Sequence, residues 1–594
     1  MLRTIELSFQ ARSPTAKKAT VVTSPDRLLS DRLSPAFEAV AGERVDPVVR
    51  RSRRADFQAD GVLALARRLG RAPREIAHEV LRRADLGGLV ESAEISGPGF
   101  INLRIADSAL EDLLAEVNAD ERLGVPIADA PERVVVDYSA PNLAKEMHVG
   151  HLRSTVIGDA AVRLLSWLGH DVRRANHVGD WGTPFGMLIE HLLDLGEIEA
   201  AHELSVGDLN EFYRAARVKF DTDDSFADRS RSRVVALQAG DDTTLRLWRS
   251  LVDASERYVL AIYHRLGVTL TSADFAGESF YNDMLGPVVD ELDRLGLLRE
   301  SDGARCVFPD GFSGRDGDVL PIIVRKRGGG YGYGATDLAT IRYRTQDLKA
   351  TRLLYVVGAP QRQHLEMVFQ TAREAGWLAP PARATHVGFG QVLGADGRKL
   401  ASRAGETIKL ADLLDEAVAR AAALVTEKDP DLDPETRDAV ARSVGIGAIK
   451  YADLSSDRTK DYIFDWDRML SFTGDTGAYL QYTSARIQSI FRKGNVMPDR
   501  TAAVRLGEAV ERALALELLA FPAVVADVAE TLQFHKLTGH LHAVAGAYTD
   551  FYETCPVLRA DDEVRASRLV LCDVAGRTIT QGLDLLGIAS PTRI

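Results

Sequence analysis

The stretch SAPNLAKEMHVGHLRST, residues 139–155, stands between a β-branched run, Val134–Val136, that closes on Asp137 and a helical pattern that reaches Leu168. A strand that stops at small residues and a proline, then opens a helix with His148-Val149-Gly150-His151, places backbone N–H groups and the positive end of the helix dipole where polyphosphate binds. His148 and His151 share one helical face, and Gly150 between them, lacking a Cβ, leaves space for a flat purine ring against the backbone. The stretch predicts a nucleotide site where a strand of an α/β protein hands over to a helix.

Outward from it, residues 131 to about 400 alternate strands and helices as a doubly wound sheet does, with a long charged helical insertion at about 195–300. A second strand leads to NHVGDWG (176–182), and later strands are expected at Leu353–Val357 and Thr385–Leu393. Beyond Leu410 the periodicity is purely helical: Ala411–Thr426, Pro434–Asp453, Gly477–Phe491, then Ala/Leu-rich helices from about 502 to 588. Upstream, residues 24–118 read as a compact α/β unit with helices near 26–42, 61–69 and 73–83 and a strand pair around Glu91–Ile105, turning at Gly97-Pro98-Gly99. Residues 1–23 are polar and acid-poor, without apolar periodicity; a disordered extension is expected there in preference to a targeting segment.

At 594 residues the chain is too long for one core. With 45% apolar and 27% charged residues and no apolar run of the ~18–20 residues a membrane span needs, a soluble, cytoplasmic protein is expected. Cys306, Cys555 and Cys572 are scattered without metal-ligand spacing, so no structural metal is expected, and they read as small buried hydrophobes. The net charge of −13 is uneven: residues 1–100 carry +4 and the remainder −17, leaving room for a local basic track toward nucleic acid. Nothing marks a dedicated dimer element, and a monomer is the default.

The signature, with Pro141-Asn142, Ala144-Lys145 and His148 to Ser154, resembles the HIGH motif of class I aminoacyl-tRNA synthetases in the extended form of the bacterial-type arginyl enzymes. The similarity continues through Arg174–Thr183, Tyr333–Asp337, Tyr355–His364, Arg403–Leu413 and the C-terminal hundred residues. It implies a Rossmann-type catalytic core at 119–410, an N-terminal tRNA-elbow-binding α/β domain at 24–118, a helical stem-contact region at 411–475, and at 476–594 a helical anticodon-binding domain of the D-A-L-R type. It further implies L-arginine, ATP with Mg2+ as the substrate complex, and tRNA(Arg) as partners, with a first step that itself needs tRNA.

Residue by residue, the resemblance places His148, Gly150, His151, His364, Lys399 and Arg403 at ATP, with Lys145 aiming a cation at the same site. GRKLASRAG (397–405) occupies the place of the KMSKS loop. Its first lysine survives as Lys399, the second lysine position holds Ser402, and Arg403 replaces the final serine, so Lys145 is the compensating charge. A guanidinium substrate demands carboxylates. Asp137 and Asp337 match family positions that face it, with Tyr333 beside them, while Asn142 and Gln361 match those for the α-amino and carboxylate end and His364 lies nearby. Asp337 also suits the N-cap of a helix starting at Leu338. For tRNA, Phe57 is expected to stack on and Gln58 to hydrogen-bond an unpaired base, the alternative for Phe57 being plain core; Tyr479, Tyr482 and Arg486 lie in the anticodon-binding part. Two competing readings are a class I synthetase of another specificity, which the acids and Tyr333 disfavour, and an inactive tRNA-binding paralogue, for which only the degenerate loop speaks.

Overall fold

The computed structural model describes residues 24–196, 209–314, 317–400 and 408–594. The expectation for residues 1–23, the start of the insertion, and Ser402 and Arg403 lie outside the described residues. Two compact units emerge, one reaching Pro126 and taking in Asp499–Pro522, the other made of Ile127–Pro498 and Ala523–Ile594.

In the first unit, helix α1 (Pro25–Ala41) is followed by strands β1 (Val49–Arg51) and β2 (Phe57–Ala59), helices α2 (Gly61–Leu69) and α3 (Pro73–Arg83), the hairpin β3 (Val90–Ser96) and β4 (Phe100–Ile105), and α4 (Asp107–Ala119). The sheet runs β1-β2-β4-β3, antiparallel throughout. At the hairpin turn Gly99 has φ 145, and a Cβ there would lie 2.9 Å from Pro73, so glycine is required twice over. Strands β1 and β2 escape the sequence reading because three residues are too few to display a period of two.

In the second unit a parallel sheet of order β11-β10-β5-β6 is built from β5 (Arg133–Asp137), β6 (Asp171–Ala175), β10 (Arg352–Tyr355) and β11 (Arg383–His386). Buried Val134–Val136 and Leu353–Leu354 fill it, the near-continuous apolar runs of strands covered on both faces. Asp137 pairs with Tyr355 and with Ala175, aligning the carboxyl ends of the strands, where ligands bind in such sheets. Helix α5 (Val149–Trp167) follows β5 and is buried along most of its length. Gly158 lets it approach the preceding segment: a Cβ there would fall 2.3 Å from the Tyr138 side chain.

Between β6 and β10 come helices α6 (Thr183–Leu195), α7 (Leu209–Thr222), α8 (Asp224–Gln238), α9 (Asp242–Leu266) and α10 (Asn282–Arg294). An antiparallel sheet, β7 (Leu298–Ser301), β8 (Ala304–Val307) and β9 (Ile322–Arg325), was not anticipated there, and α11 (Tyr333–Gln346) leads back to β10. After α12 (Arg362–Glu374), the single strand expected at Thr385–Leu393 is two. β11 ends at His386, and β12 (Val392–Leu393) pairs in a separate sheet with β13 (Tyr462–Ile463). Gly390 separates them because the chain at Lys460–Asp461 presses against it, within 2.5 Å of where a Cβ would stand.

The rest is helical: α13 (Leu410–Lys428), α14 (Pro434–Leu454), the short α15 (Trp466–Met469), α16 (Gly477–Gly494), α17 (Ala509–Leu518), α18 (Phe521–Thr531), α19 (His535–Thr554) and α20 (Asp562–Leu585). The stretch 476–594 is not one compact body, since Asp499–Pro522, with α17, belongs to the first unit. There Arg512 makes a bidentate pair with Asp56 at 2.8 and 2.7 Å, reaches Asp107 at 2.6 Å and donates to the Ile105 carbonyl.

Candidate active site

His148 is the N-cap of α5, and its Nδ1 accepts a hydrogen bond from the Gly150 N–H at 3.1 Å. His151 Nδ1 accepts from the His148 N–H at 3.1 Å, completing a capping box made of two histidines whose rings lie 4.1 Å apart. Because both Nδ1 atoms accept from backbone N–H groups, each neutral ring carries its proton on Nε2. Burial first lowers both pKa values, with Lys145 adding to the shift of His148 and the adjoining His148 ring and Lys145 to that of His151, which falls to about 4. At neutral pH the pair is two aimed, uncharged donors. Gly150 has a reason the sequence did not show: a Cβ would lie 2.7 Å from His148 Cε1, so the glycine is needed for the cap itself.

The segment before α5 is shaped by left-handed conformations at Ser139 (φ 70) and Ala140 (φ 47). It is held by Ser154 Oγ, which accepts from the Ser139 N–H and donates to the Val356 carbonyl, and by the buried Asn176, whose Oδ1 accepts from the Ala140 N–H. NHVGDWG is therefore scaffold on this side. Asn142 Oδ1 accepts from the Ala144 N–H, an Asx turn that leaves the exposed Lys145 at its tip.

Lys399 is placed by strand pairing with β12. It bridges Leu393 across a turn in which the Gly394 N–H donates to the Arg398 carbonyl, and the Leu400 N–H donates to Val392. On the other side of residues 401–407, Lys409 bridges His148, the Val149 N–H donates to Ile408 and the Leu410 N–H to Met147. The described flanks of the loop are thus held on one side by β12 and on the other by the N-terminus of α5.

The arginine candidates divide. Asp137 is 6% exposed and holds Arg344 of α11 at 2.7 Å, so the cation it faces in the structure belongs to the protein. Asp337 lies one turn inside α11, whose N-cap is Gly332, which removes the N-cap alternative. Its carboxylate meets His364 Nε2 at 2.6 Å, a bond that raises the histidine's pKa against burial. Tyr333 precedes Asp337 by four residues on the same helical face and is 76% exposed; Gln361, at the end of a 3-10 turn before α12, is exposed too.

Glu278 was missed by the sequence reading. It opens a 3-10 turn shortly after Phe275, which bridges Asn176, and its N–H donates to the Val178 carbonyl. Burial, then the charges of Asp180 and Asp337, raise its pKa to about 7. Asp180 is buried and accepts from the Ser279 N–H and hydroxyl at 2.9 and 2.5 Å. Glu278, Asp180 and Asp337 concentrate negative charge where a cationic side chain would offset it.

The RNA candidates divide as well. Phe57 is 4% exposed in β2, opposite Leu103, and is core, correcting the stacking expectation; Gln58 faces the other way and donates to Asn102 Oδ1 at 3.0 Å. In the second unit Tyr482 and Arg486 of α16 line a cavity of about 960 Å³ with Arg492, Lys493, Tyr552 and Arg559. The Arg486 guanidinium sits 4.2 Å over the Tyr552 ring, and Lys428 lies 4.5 Å from the Tyr482 ring. Tyr479 lies outside that lining, its hydroxyl 3.1 Å from Thr549 Oγ1.

The family model described as tRNA synthetases class I (R), catalytic domain, matches residues 114–466; the arginyl tRNA synthetase N terminal domain matches 26–105, and the DALR anticodon binding domain matches 480–594. The chain is 55% identical to the arginine–tRNA ligase of Thermobifida fusca, covering 96% of this chain and all of that one, and 52% identical to that of Frankia casuarinae, covering 95% and 97%. Among solved structures, the arginyl-tRNA synthetase of Plasmodium falciparum superposes with a TM-score of 0.84 at 28% identity over 96% of this chain and 99% of its own. That of Thermus thermophilus gives 0.80 at 27% identity, over 96% and 100%. The chain belongs to the class I arginyl-tRNA synthetases.

Proposed function

We propose that this arginine–tRNA ligase forms arginyl-adenylate at the carboxyl ends of β5 and β10 and then passes the arginyl group to the terminal adenosine of tRNA(Arg). The observation that carries the reading is the juxtaposition of two chemistries at the carboxyl ends of the strands: neutral, donor-bearing histidines at a helix N-terminus, and the partly buried Asp337 and Glu278 with the buried Asp180 beside them. ATP enters with its Mg2+ as substrate. His148 and His151 offer Nε2–H donors to the phosphates, Lys145 and Lys399 bring positive charge to the departing pyrophosphate, and Gly150 keeps the cap open.

The arginine guanidinium lies against Asp337 and Glu278 beside Tyr333, with Asn142 and Gln361 toward its α-amino and carboxylate end. Asp137 acts by fixing Arg344 beneath the pocket. Attack of the substrate carboxylate on the α-phosphorus needs no covalent nucleophile from the protein, so catalysis is positioning and charge stabilisation. The C-terminal cavity with Tyr482, Arg486 and Tyr552 suits an unpaired anticodon base, stacked and charge-compensated.

The test is pyrophosphate exchange with each amino acid in turn, with and without tRNA(Arg). Arginine alone, and only in the presence of tRNA, is the expected substrate; exchange driven by another amino acid would contradict the assignment of the pocket.

A further inference from the structure

The helical insertion between β6 and β10 meets the signature stretch at Leu143. Tyr213 of α7 is 7% exposed, and its hydroxyl donates to the Leu143 carbonyl at 3.2 Å. A hydroxyl has one proton to give, so with that proton on Leu143 the tyrosine oxygen accepts from Ser255 of α9, whose Oγ stands 2.5 Å away. Burial pushes the phenol's pKa up to about 12, so the donor keeps its proton at any working pH. The tyrosine's own place is set by helix packing: the neighbouring Phe212 ring lies 4.9 Å from the His191 ring of α6, and Lys219 of α7 pairs with Asp194 at 3.3 Å.

Leu143 is thereby pinned from two directions. Its N–H donates to the Gly179 carbonyl at 2.9 Å, in the loop that follows β6, while its carbonyl is taken by the insertion. From there the chain turns at once. Asn142 Oδ1 accepts from the Ala144 N–H at 2.9 Å and the Asn142 carbonyl from the Lys145 N–H at 3.1 Å, which leaves Lys145 exposed at the tip. On the far side of the tip, Glu146 pairs with Lys409 at 3.1 Å. The charge of Lys145 is felt at both His148 and His151, so the tip faces the histidine cap. A buried carbonyl that loses its donor must move or stay unpaired, and at Leu143 either outcome is passed on to a lysine two residues away.

We propose that Tyr213 is a positioning residue for activation: by holding the Leu143 carbonyl it fixes the turn from which Lys145 reaches the departing pyrophosphate, and this gives the helical insertion a part in the chemistry. The inference rests on Lys145 acting at the pyrophosphate.

The experiment measures single-turnover adenylate formation, with saturating tRNA(Arg), in the full chain and its Tyr213→Phe, Lys145→Ala and doubly substituted variants. Tyr213→Phe keeps the ring and removes only the donor. It is expected to slow activation roughly ten-fold while the KM for arginine stays within about two-fold. Lys145→Ala is expected to slow it roughly a hundred-fold or more. The double variant should be within about two-fold of Lys145→Ala, since a residue that acts only through Lys145 then has nothing left to position. A wild-type rate in Tyr213→Phe, or an arginine KM that rises as far as the rate falls, would overturn the inference. Losses that multiply in the double variant, beside an impaired Lys145→Ala, would overturn it too, by showing that the tyrosine supports the stretch in general. A wild-type rate in Lys145→Ala would instead remove the reading of Lys145 at the pyrophosphate, and the route proposed for Tyr213 with it.

Discussion

The protonation states of a few side chains set how this site should respond to pH. His151, with its pKa lowered to about 4 by burial, stays neutral throughout the physiological range, so it contributes a constant donor. Replacing it with alanine should lower the rate of adenylate formation by roughly two to three orders of magnitude, with tRNA binding retained, as measured by single-turnover activation and filter binding. Glu278 behaves differently. Its folded-state pKa of about 7 lies above the ordinary glutamate value, so it is protonated and uncharged below that pH and ionised above it. A guanidinium needs the ionised form, and the arginine KM should therefore fall as pH rises through about 7. Glu278→Gln should flatten that part of the profile and leave the ATP KM unchanged; a profile identical to wild type would take Glu278 out of the pocket. The same shift acts on folding with opposite sign, because a group that binds its proton more tightly when folded contributes stability that is lost as pH rises from its unfolded value toward 7. Thermal melts of the ligand-free protein at pH 8 should accordingly show Glu278→Gln more stable than wild type.

At the scale of elements, close approach of backbones does much of the positioning. Gly158 gives α5 its distance from Tyr138, and with a Cβ expected at 2.3 Å from that side chain the helix must move or the tyrosine must leave its place. Gly158→Ala should destabilise the protein by about 1–3 kcal/mol, the usual range for overpacking, and should lower kcat as well because α5 carries the histidine cap. Phe57 offers the complementary case: at 4% exposure in β2, its replacement by alanine should cost about 3–5 kcal/mol in a denaturant titration and act on tRNA only through lost folding. Persistence of wild-type stability with weakened tRNA binding would restore the stacking role.

These elements also show what the sequence could reveal. The stretch from Asp137 to Ser154 was readable because strand, turn, cap and helix are adjacent in the chain and each leaves a local signal. Glu278 was not, since it sits in a 3-10 turn without periodicity and gains its meaning only from Asp180 and Asp337, which other elements bring to it. The pairing of Asp137 with Arg344 is likewise a product of packing between β5 and α11, invisible to a motif that ends at the aspartate. The strand expected through Thr385–Leu393 failed because its break is dictated by the distant Lys460–Asp461, not by its own residues.

For the whole molecule, the helical periodicity beyond Leu410 was legible, but not its partition: the segment carrying Arg512 is claimed by the first unit through Asp56 and Asp107. The central claim is that the cluster around Asp337 is what makes this synthetase select arginine. Its most direct test is the arginine KM and the ATP KM of Asp337→Ala, measured by aminoacylation of saturating tRNA(Arg) at pH 8. Removing one of the carboxylates leaves the guanidinium under-paired at a cost of roughly 1–3 kcal/mol, which raises the arginine KM by about 5- to 150-fold and leaves the ATP KM where it was. An unchanged arginine KM, or an equal rise in both constants, would contradict the account.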